Sequence, residues 1–235
     1  MKKLTNKLLA IGVLVMTLCT IVSCGKDDES PAPDDGNTGE LSPEIQNIIA
    51  DSLVVQLEEK GMAIHKGNKP PHAEGIFLAS PFKLLSNFGP DDNYENGKIV
   101  SDYLYKIYDQ VGDKAKLDFK SDAAGDIAEG GGSFISGFGN KFTLFAESEG
   151  TTHNISYTTV SILTGEITES GVDNLQYGFV MTGKKGDPFN LTMMPVGKSR
   201  VYIDEDKVSP MQDDEVFPST DIQAKTTRSS LIGVK

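Results

Sequence analysis

Between Glu74 and Asp206 the apolar residues recur at every second position of the chain. Ala115, Leu117 and Phe119, for example, alternate with charged residues, which is typical of a β-strand with one buried and one solvated face. In three further runs the apolar residues share one parity, which means that all their numbers are odd or all are even, so that they face the same side of a strand. These runs are Ile99, Tyr103, Tyr105 and Ile107; Phe142, Leu144 and Ala146; and Leu175, Tyr177, Phe179 and Met181. A pattern of this length restricts the region to a mainly β fold.

Turn signals separate these runs at short intervals and leave no room for helices between them. They are Asn96-Gly97, Gly112-Asp113, Ala124-Gly125-Asp126, Gly139-Asn140, Glu149-Gly150, Ser170-Gly171 and the segment 183–186. Strands joined by successive hairpins form an antiparallel meander. We count about eight strands in residues 74–206, which is the size of a small closed barrel. Pro81 interrupts the first strand, because proline cannot donate a hydrogen bond to the ladder.

One amphipathic helix precedes the barrel in our prediction. Ser42-Pro43-Glu44 provides an N-cap hydroxyl, a proline in the first turn and a carboxylate near the N-terminus, and Gly61 is a natural stop. Its predicted buried stripe is Ile45, Ile48, Ile49, Ser52, Leu53 and Leu57. Residues 42–73 are therefore assigned to this helix and an irregular connection. Residues 207–235 are predicted to be a polar C-terminal tail, with a late strand that pairs back onto the sheet as the alternative.

The N-terminus has the pattern of an export signal. Lys2, Lys3 and Lys7 precede an uncharged apolar run, Leu8–Val22, which is short for a membrane span. Ile21-Val22-Ser23-Cys24 resembles the lipobox of bacterial lipoproteins. This resemblance implies cleavage after residue 23 and a lipid on the thiol of Cys24. Residues 24–41 would then be a flexible acidic tether, since they contain too few apolar residues to fold.

Charge and motif content exclude several functions. The net charge of −12 opposes binding of nucleic acid, which needs clustered Lys and Arg. Cys19 and Cys24 are the only cysteines, so thiol catalysis and cysteine metal sites are excluded from the mature domain. Gly130-Gly131-Gly132-Ser133 lacks the Gly-Lys-Ser/Thr of a phosphate-binding loop and is better explained by a bend or bulge of a strand. We therefore predict no catalytic site, no metal and no cofactor.

Several stretches resemble those of a family of exported proteins. Gly25-Lys26-Asp27-Asp28-Glu29 is similar to the acidic export signal of Bacteroidota surface lipoproteins. Glu74-Gly75-Ile76-Phe77 after a short helix, together with residues 132–142 and 165–172, resembles the lipocalin-like (calycin) barrel domains of those lipoproteins. Phe77 occupies the position of the tryptophan in the Gly-x-Trp motif of true lipocalins. The resemblance spans about residues 42–206 and implies a lipid-anchored protein of the outer membrane that faces the cell exterior.

Aromatic residues of one parity are the candidate binding residues. They are Tyr103, Tyr105, Phe119, Phe142, Tyr177 and Phe179. In a closed barrel they converge on the interior, where they form either a filled core or the wall of a cavity for one small ligand. The leading hypothesis is a non-catalytic module that binds a small hydrophobic or amphipathic ligand. The alternative is an interaction or structural accessory protein of a surface complex, possibly related to glycans, with a filled barrel.

Overall fold

The computed structural model describes residues 39–217, which are mainly β and begin with short helices. The helices are α1 (Pro43–Ile48) and α2 (Asp51–Glu59), and a 3-10 turn (Asp214–Val216) lies near the end. The strands are β1 (Gly75–Ala79), β2 (Phe82–Ser86), β3 (Ile99–Val100), β4 (Tyr103–Val111), β5 (Lys114–Ser121), β6 (Asp126–Phe138), β7 (Lys141–Thr152), β8 (Ile155–Thr168), β9 (Gly171–Lys185), β10 (Ser199–Asp204) and β11 (Val208–Pro210). Their pairings are all antiparallel, so the predicted mainly β, antiparallel class is confirmed.

The strands form one curled, barrel-like sheet. Its order is β1-β4-β5-β6-β7-β8-β9-β10-β2-β3, and β11 pairs with β9. β1 and β2 lie near opposite ends of this order, yet only Ser80 and Pro81 separate them in the chain. The sheet contains eleven strands rather than about eight. The difference arises because the break at Pro81 divides the first strand and because the short β3 and β11 were not predicted as strands.

The N-terminal helical segment begins where the sequence predicts but consists of two helices, not one. The Ser42 hydroxyl accepts a hydrogen bond from the backbone N–H of Ile45, and Pro43 opens α1. Ile49 then adopts an extended conformation with φ −135° and ψ 129°, which ends α1. This break rotates α2 relative to the predicted stripe. Val54 is buried in place of Leu53, which is half-buried.

Both helices pack on the outer face of the sheet. Ile45, Ile49, Val54 and Leu57 form one apolar cluster with outward-facing residues of the strands. Those strand residues are Phe145, Val160, Ile162 and Val201. Because this part of the sheet is covered, the strands beneath it are buried on both faces. Their sequences therefore lack the clear alternation of a half-solvated strand.

Two further details correct the predicted boundaries. Gly150 lies within β7, and the turn occurs instead at His153 and Asn154, both of which have positive φ. Gly150 pairs with Tyr157 of β8, and a glycine suits this position because a Cβ there would overlap the Tyr157 ring. Beyond Asp206 the chain forms β11, so the predicted alternative of a late strand is what the structure contains there.

The structure does not describe the residues on which the export prediction depends. The signal peptide 1–23, Cys24 and most of the predicted tether 24–41 lie outside residues 39–217. Within the described residues, no helix has the length and apolar character needed to cross a bilayer.

Candidate functional site

A cavity of about 500 Å³ lies within the curl of the sheet. Such a volume is in the range of small-molecule sites, about 300–1,000 Å³. Its lining includes residues of the β5–β6 turn, the β7–β8 turn and the β9–β10 loop, which lie at the same end of the meander. The residues of β3 and of the segment before it complete this end, which we call the mouth. The mouth residues in the lining are Tyr94, Lys98, Ile99, Val100, Ala124, His153, Thr192, Met193 and Met194.

Aromatic side chains form most of the inner wall, and five of the six predicted binding residues are among them. These five are Tyr103, Tyr105, Phe119, Tyr177 and Phe179. Ring centroids lie 5.1 Å apart for Tyr105 and Tyr177 and 5.3 Å apart for Phe119 and Tyr177. Contacts at these distances stabilise the rings against one another. The wall is therefore preorganised and does not need a ligand to hold it together.

Phe142 is the predicted binding residue that does not line the cavity. It is fully buried in the same apolar cluster as the other five residues. Leu144 and Ala146 on the same strand are also fully buried. The interior is thus filled by side chains in one part and open in another. A filled core and a cavity, the two sequence-based alternatives, are both present.

A carboxylate flanked by two tyrosines is the most polar feature of the wall. The Tyr103 hydroxyl donates to Asp126 Oδ2 at 2.8 Å, and the Tyr157 hydroxyl donates to Asp126 Oδ1 at 2.7 Å. Burial raises the pKa of the Asp126 carboxyl, although both hydrogen bonds act in the opposite direction. Burial also raises the pKa of both tyrosines well above the usual range. The tyrosines are therefore neutral hydrogen-bond donors.

Hydroxyl groups of β8 and β9 continue this polar strip inward. Thr159 Oγ1 and Ser161 Oγ lie 2.9 Å apart, and Ser161 Oγ lies 3.0 Å from the Tyr177 hydroxyl. The Tyr105 hydroxyl differs, because it is buried and has no hydrogen-bond partner among the described residues. A buried hydroxyl without a partner carries a free-energy cost. A polar atom of a ligand or a water molecule in the cavity would remove this cost.

The opposite wall carries a neutralised cation. Arg200 donates to Asp92 through Nε at 2.9 Å and through Nη2 at 2.5 Å. Burial would raise the pKa of Asp92, but this ion pair and the N–H groups of Phe88 and Tyr94 hold it below the usual range. The guanidinium also lies 4.5 Å from the ring centroid of Tyr94. These contacts fix the segment between β2 and β3 against β10.

The β9–β10 loop is shaped by a second acidic residue, Asp187. Its carboxylate accepts hydrogen bonds from the Lys184 ammonium and from the backbone N–H groups of Leu191 and Met193. The hydrogen bond from Lys184 is the foremost reason that the pKa of Asp187 lies below its usual range. This arrangement places Met193 at the cavity and leaves Phe189 and Leu191 exposed, at 79% and 80%.

Sequence reasoning did not identify the polar residues of the site. Asp126 was assigned to a turn, and Tyr157 only to a strand rich in β-branched residues. The available signal was that Tyr157, Thr159 and Ser161 alternate along β8, while Val160 and Ile162, which alternate with them at the end of this run, are apolar. This inverted pattern indicates a strand whose outer face is covered and whose inner face meets a polar space.

Among the described residues there is no group of three or more His, Cys, Asp or Glu side chains arranged to hold a metal ion. Comparison of the chain with known protein families, with curated proteins and with solved structures found no match. The cavity itself is therefore the basis for a functional proposal.

Proposed function

We propose that this chain is a lipid-anchored surface lipoprotein whose β-domain is a non-catalytic module that binds a small hydrophobic or amphipathic ligand. The observation that carries the binding proposal is the cavity of about 500 Å³, whose wall combines aromatic rings with a strip of polar groups. Ligand sites have this composition because apolar contact provides affinity while a few polar atoms orient the ligand. The interior of a small barrel can instead be filled by side chains, so the open space here supports a ligand role.

The finer fold in this proposal is a closed, lipocalin-like barrel. β1 and β2 are separated by two residues, and they pair with β4 and β10 respectively. If β1 and β2 are counted as one bent strand, that strand pairs with β4 on one side and with β10 on the other. Together with β4 to β10 it makes a ring of eight strands. This supports the predicted barrel of about eight strands around one cavity, the arrangement in which lipocalins hold a single small ligand.

A fluorescent apolar probe tests the binding proposal. N-phenyl-1-naphthylamine, a neutral molecule that fluoresces in apolar surroundings, is titrated into the full chain carrying Cys24→Ser, which removes the proposed lipid. We expect a saturable rise in fluorescence and a rise in melting temperature, because a ligand that binds only the folded state stabilises it. Absence of both effects, across a panel of other apolar and amphipathic molecules, would refute the proposal.

A pair of tryptophan substitutions separates cavity binding from surface binding. Ala124 lines the mouth, so Ala124→Trp is expected to obstruct it and to weaken probe binding by about tenfold or more, a loss of roughly 1.4 kcal/mol. Val111 is 77% exposed and does not line the cavity, so Val111→Trp is the matched control. Equal loss of binding in both variants would show that the probe binds elsewhere.

The second candidate function is an interaction protein of a surface complex. The exposed side chains of Phe189 and Leu191 on the β9–β10 loop favour it, because large apolar side chains that lie together on a surface often mark a protein contact. This candidate predicts that a stoichiometric partner co-purifies after mild detergent extraction. It also predicts that the partner is lost when Phe189→Ser and Leu191→Ser are combined, while binding of the apolar probe persists.

A further inference from the structure

We infer that the cavity selects ligands with a positively charged nitrogen, which binds at Asp126 while the apolar part of the ligand contacts the aromatic wall. This inference rests on the proposed binding function and specifies its ligand class. Three features of the cavity support it: the Asp126 carboxylate, the rings around it and the state of the opposite wall.

Asp126 has hydrogen-bond partners but no opposite charge. Its side-chain partners are the neutral hydroxyls of Tyr103 and Tyr157, and within residues 39–217 no Lys or Arg forms an ion pair with it. A carboxylate has about four acceptor positions, and the hydroxyls of the two tyrosines and the backbone N–H of Ile127 occupy three of them. Since Asp126 is half-buried and lines the cavity, one position remains for a ligand. A partly buried charge without a counterion favours a cationic partner.

The aromatic rings support the same charge preference. Tyr103 lies 6.4 Å from Phe119 and 6.1 Å from Tyr105 between ring centroids, so several rings adjoin the carboxylate. The face of an aromatic ring attracts a cation, and recognition of quaternary ammonium groups commonly uses several such rings. An anionic headgroup would instead meet both a carboxylate and the negative faces of the rings.

The cations of the lining do not reverse this preference. Arg200 is already paired with Asp92, and the Lys98 ammonium lies 3.5 Å from the ring centroid of Tyr94 at the mouth. Asp126 begins β6 and Arg200 belongs to β10, and four steps of the sheet order separate these strands. His153 is the remaining basic residue of the lining, and it is exposed.

The test compares three probes that share one naphthyl group and differ in charge. They are 2-naphthylmethyl-trimethylammonium, 2-naphthylmethanol and 2-naphthylacetate, each titrated by calorimetry at pH 8 into the full chain carrying Cys24→Ser. We expect the cation to bind about tenfold more tightly than the neutral alcohol, as one ion pair with added cation–π contact provides. We expect the anion to bind most weakly.

Substitution of the carboxylate tests its role directly. Asp126→Asn retains an acceptor for one tyrosine but removes the charge, so the preference for the cation over the alcohol should fall to about one. Asp204→Asn is the matched control, because Asp204 is a buried carboxylate that accepts from the Ser209 hydroxyl and does not line the cavity. That variant should keep the preference. If Asp126→Asn does not fold, the comparison of the three probes still decides.

The outcomes distinguish this inference from the function on which it rests. Equal affinity for the cation and the alcohol, or tighter binding of the anion, would overturn the inference and leave the binding function intact. Failure of all three probes and of N-phenyl-1-naphthylamine to bind would overturn both. A preference for the cation that survives Asp126→Asn would also overturn the inference, because the carboxylate would then not be its cause.

Discussion

On the outer face of β5, Asp118 lies between Lys106 of β4 and Glu129 of β6, and only 6% of the residue is exposed. Burial raises the pKa of Asp118 to about 6. The hydrogen bond from the Tyr108 hydroxyl lowers this pKa, and the negative charge of Glu129 raises it further. The folded state therefore binds more protons than the unfolded state between about pH 4 and 6. The contribution of Asp118 to stability must fall as pH rises through this window.

Asp118→Asn should remove this dependence. At pH 7.5 we expect the free energy of unfolding of the variant to exceed that of the parent by about 1 kcal/mol or more, because the asparagine has no charge to desolvate. The advantage should vanish near pH 4, as measured by urea unfolding at several pH values. Asp122→Asn, at a side chain that is 87% exposed, controls for the change in net charge. A difference that does not vary with pH would contradict the prediction.

At the residue scale, the sequence predicted the apolar part of the site better than its polar part. Alternation fixes which side chains share a face, so Tyr103, Tyr105 and Tyr177 were correctly placed together. Asp126 could not be found this way. Its role depends on hydroxyl groups 23 and 31 residues away along the chain, on β4 and β8, which only the curled sheet brings to it.

At the scale of the strand, β6 contains a bulge that three glycines make possible. The pairing of β6 with both neighbours shifts register near Gly130–Gly132, as the sequence predicted for a bend or bulge. A Cβ on Gly130 would lie 2.4 Å from the backbone oxygen of Leu117 and 3.2 Å from Ala146 Cβ, whereas a Cβ on Gly131 would meet nothing within 4 Å. Adjacent glycines thus differ in the space available to them.

Gly130→Ala is expected to destabilise the fold by about 1–3 kcal/mol, because the backbone of β5 must move to admit the methyl group. Gly131→Ala is expected to change stability by less than about 1 kcal/mol. Both substitutions remove one glycine from the unfolded chain, so the difference between them reports the crowding alone. Urea unfolding measures it, and equal effects would contradict this account of the bulge.

The helices offer a second comparison at this scale. Leu57 of α2 is fully buried against the outer face of the sheet, whereas Val55 on the same helix is 51% exposed. Leu57→Ala should therefore lower the free energy of unfolding by about 2–5 kcal/mol. Val55→Ala, the matched control, should change it by about 0.5 kcal/mol or less. Similar losses in the two variants would mean that α2 does not contribute to the core through this face.

Element boundaries were predictable where local chemistry decides them and not where tertiary contacts do. The Ser42 cap and the turn at Gly139 depend on neighbouring residues, and both were placed correctly. The break at Ile49 and the continuation of β7 through Gly150 were not. Ile49 is buried against the sheet, and Gly150 lies beneath the Tyr157 ring of the neighbouring strand, so packing between elements accounts for both.

For the molecule as a whole, parity predicts which side chains face inward but not how far apart the walls lie. That distance depends on the curl of the sheet and on how its ends meet at Ser80 and Pro81. Because of the distance between the walls, Phe142 is packed in the core while Phe179 faces open space. The antiparallel class was therefore accessible from the sequence, but the existence and volume of the cavity were not.

The proposed anchoring also belongs to this scale, and the two cysteines of the chain provide its test. If Cys24 carries the lipid, the chain produced in a Bacteroidota host should incorporate an alkyne-tagged palmitate and sediment with membranes, and Cys24→Ser should abolish both. Cys19→Ser is the matched control, since cleavage before Cys24 would remove residue 19 and leave labelling unchanged. Incorporation of the tagged palmitate into the Cys24→Ser variant would refute the proposed lipid anchor. The cavity lies wholly within residues 39–217, so the proposed anchoring and the proposed ligand binding can fail separately.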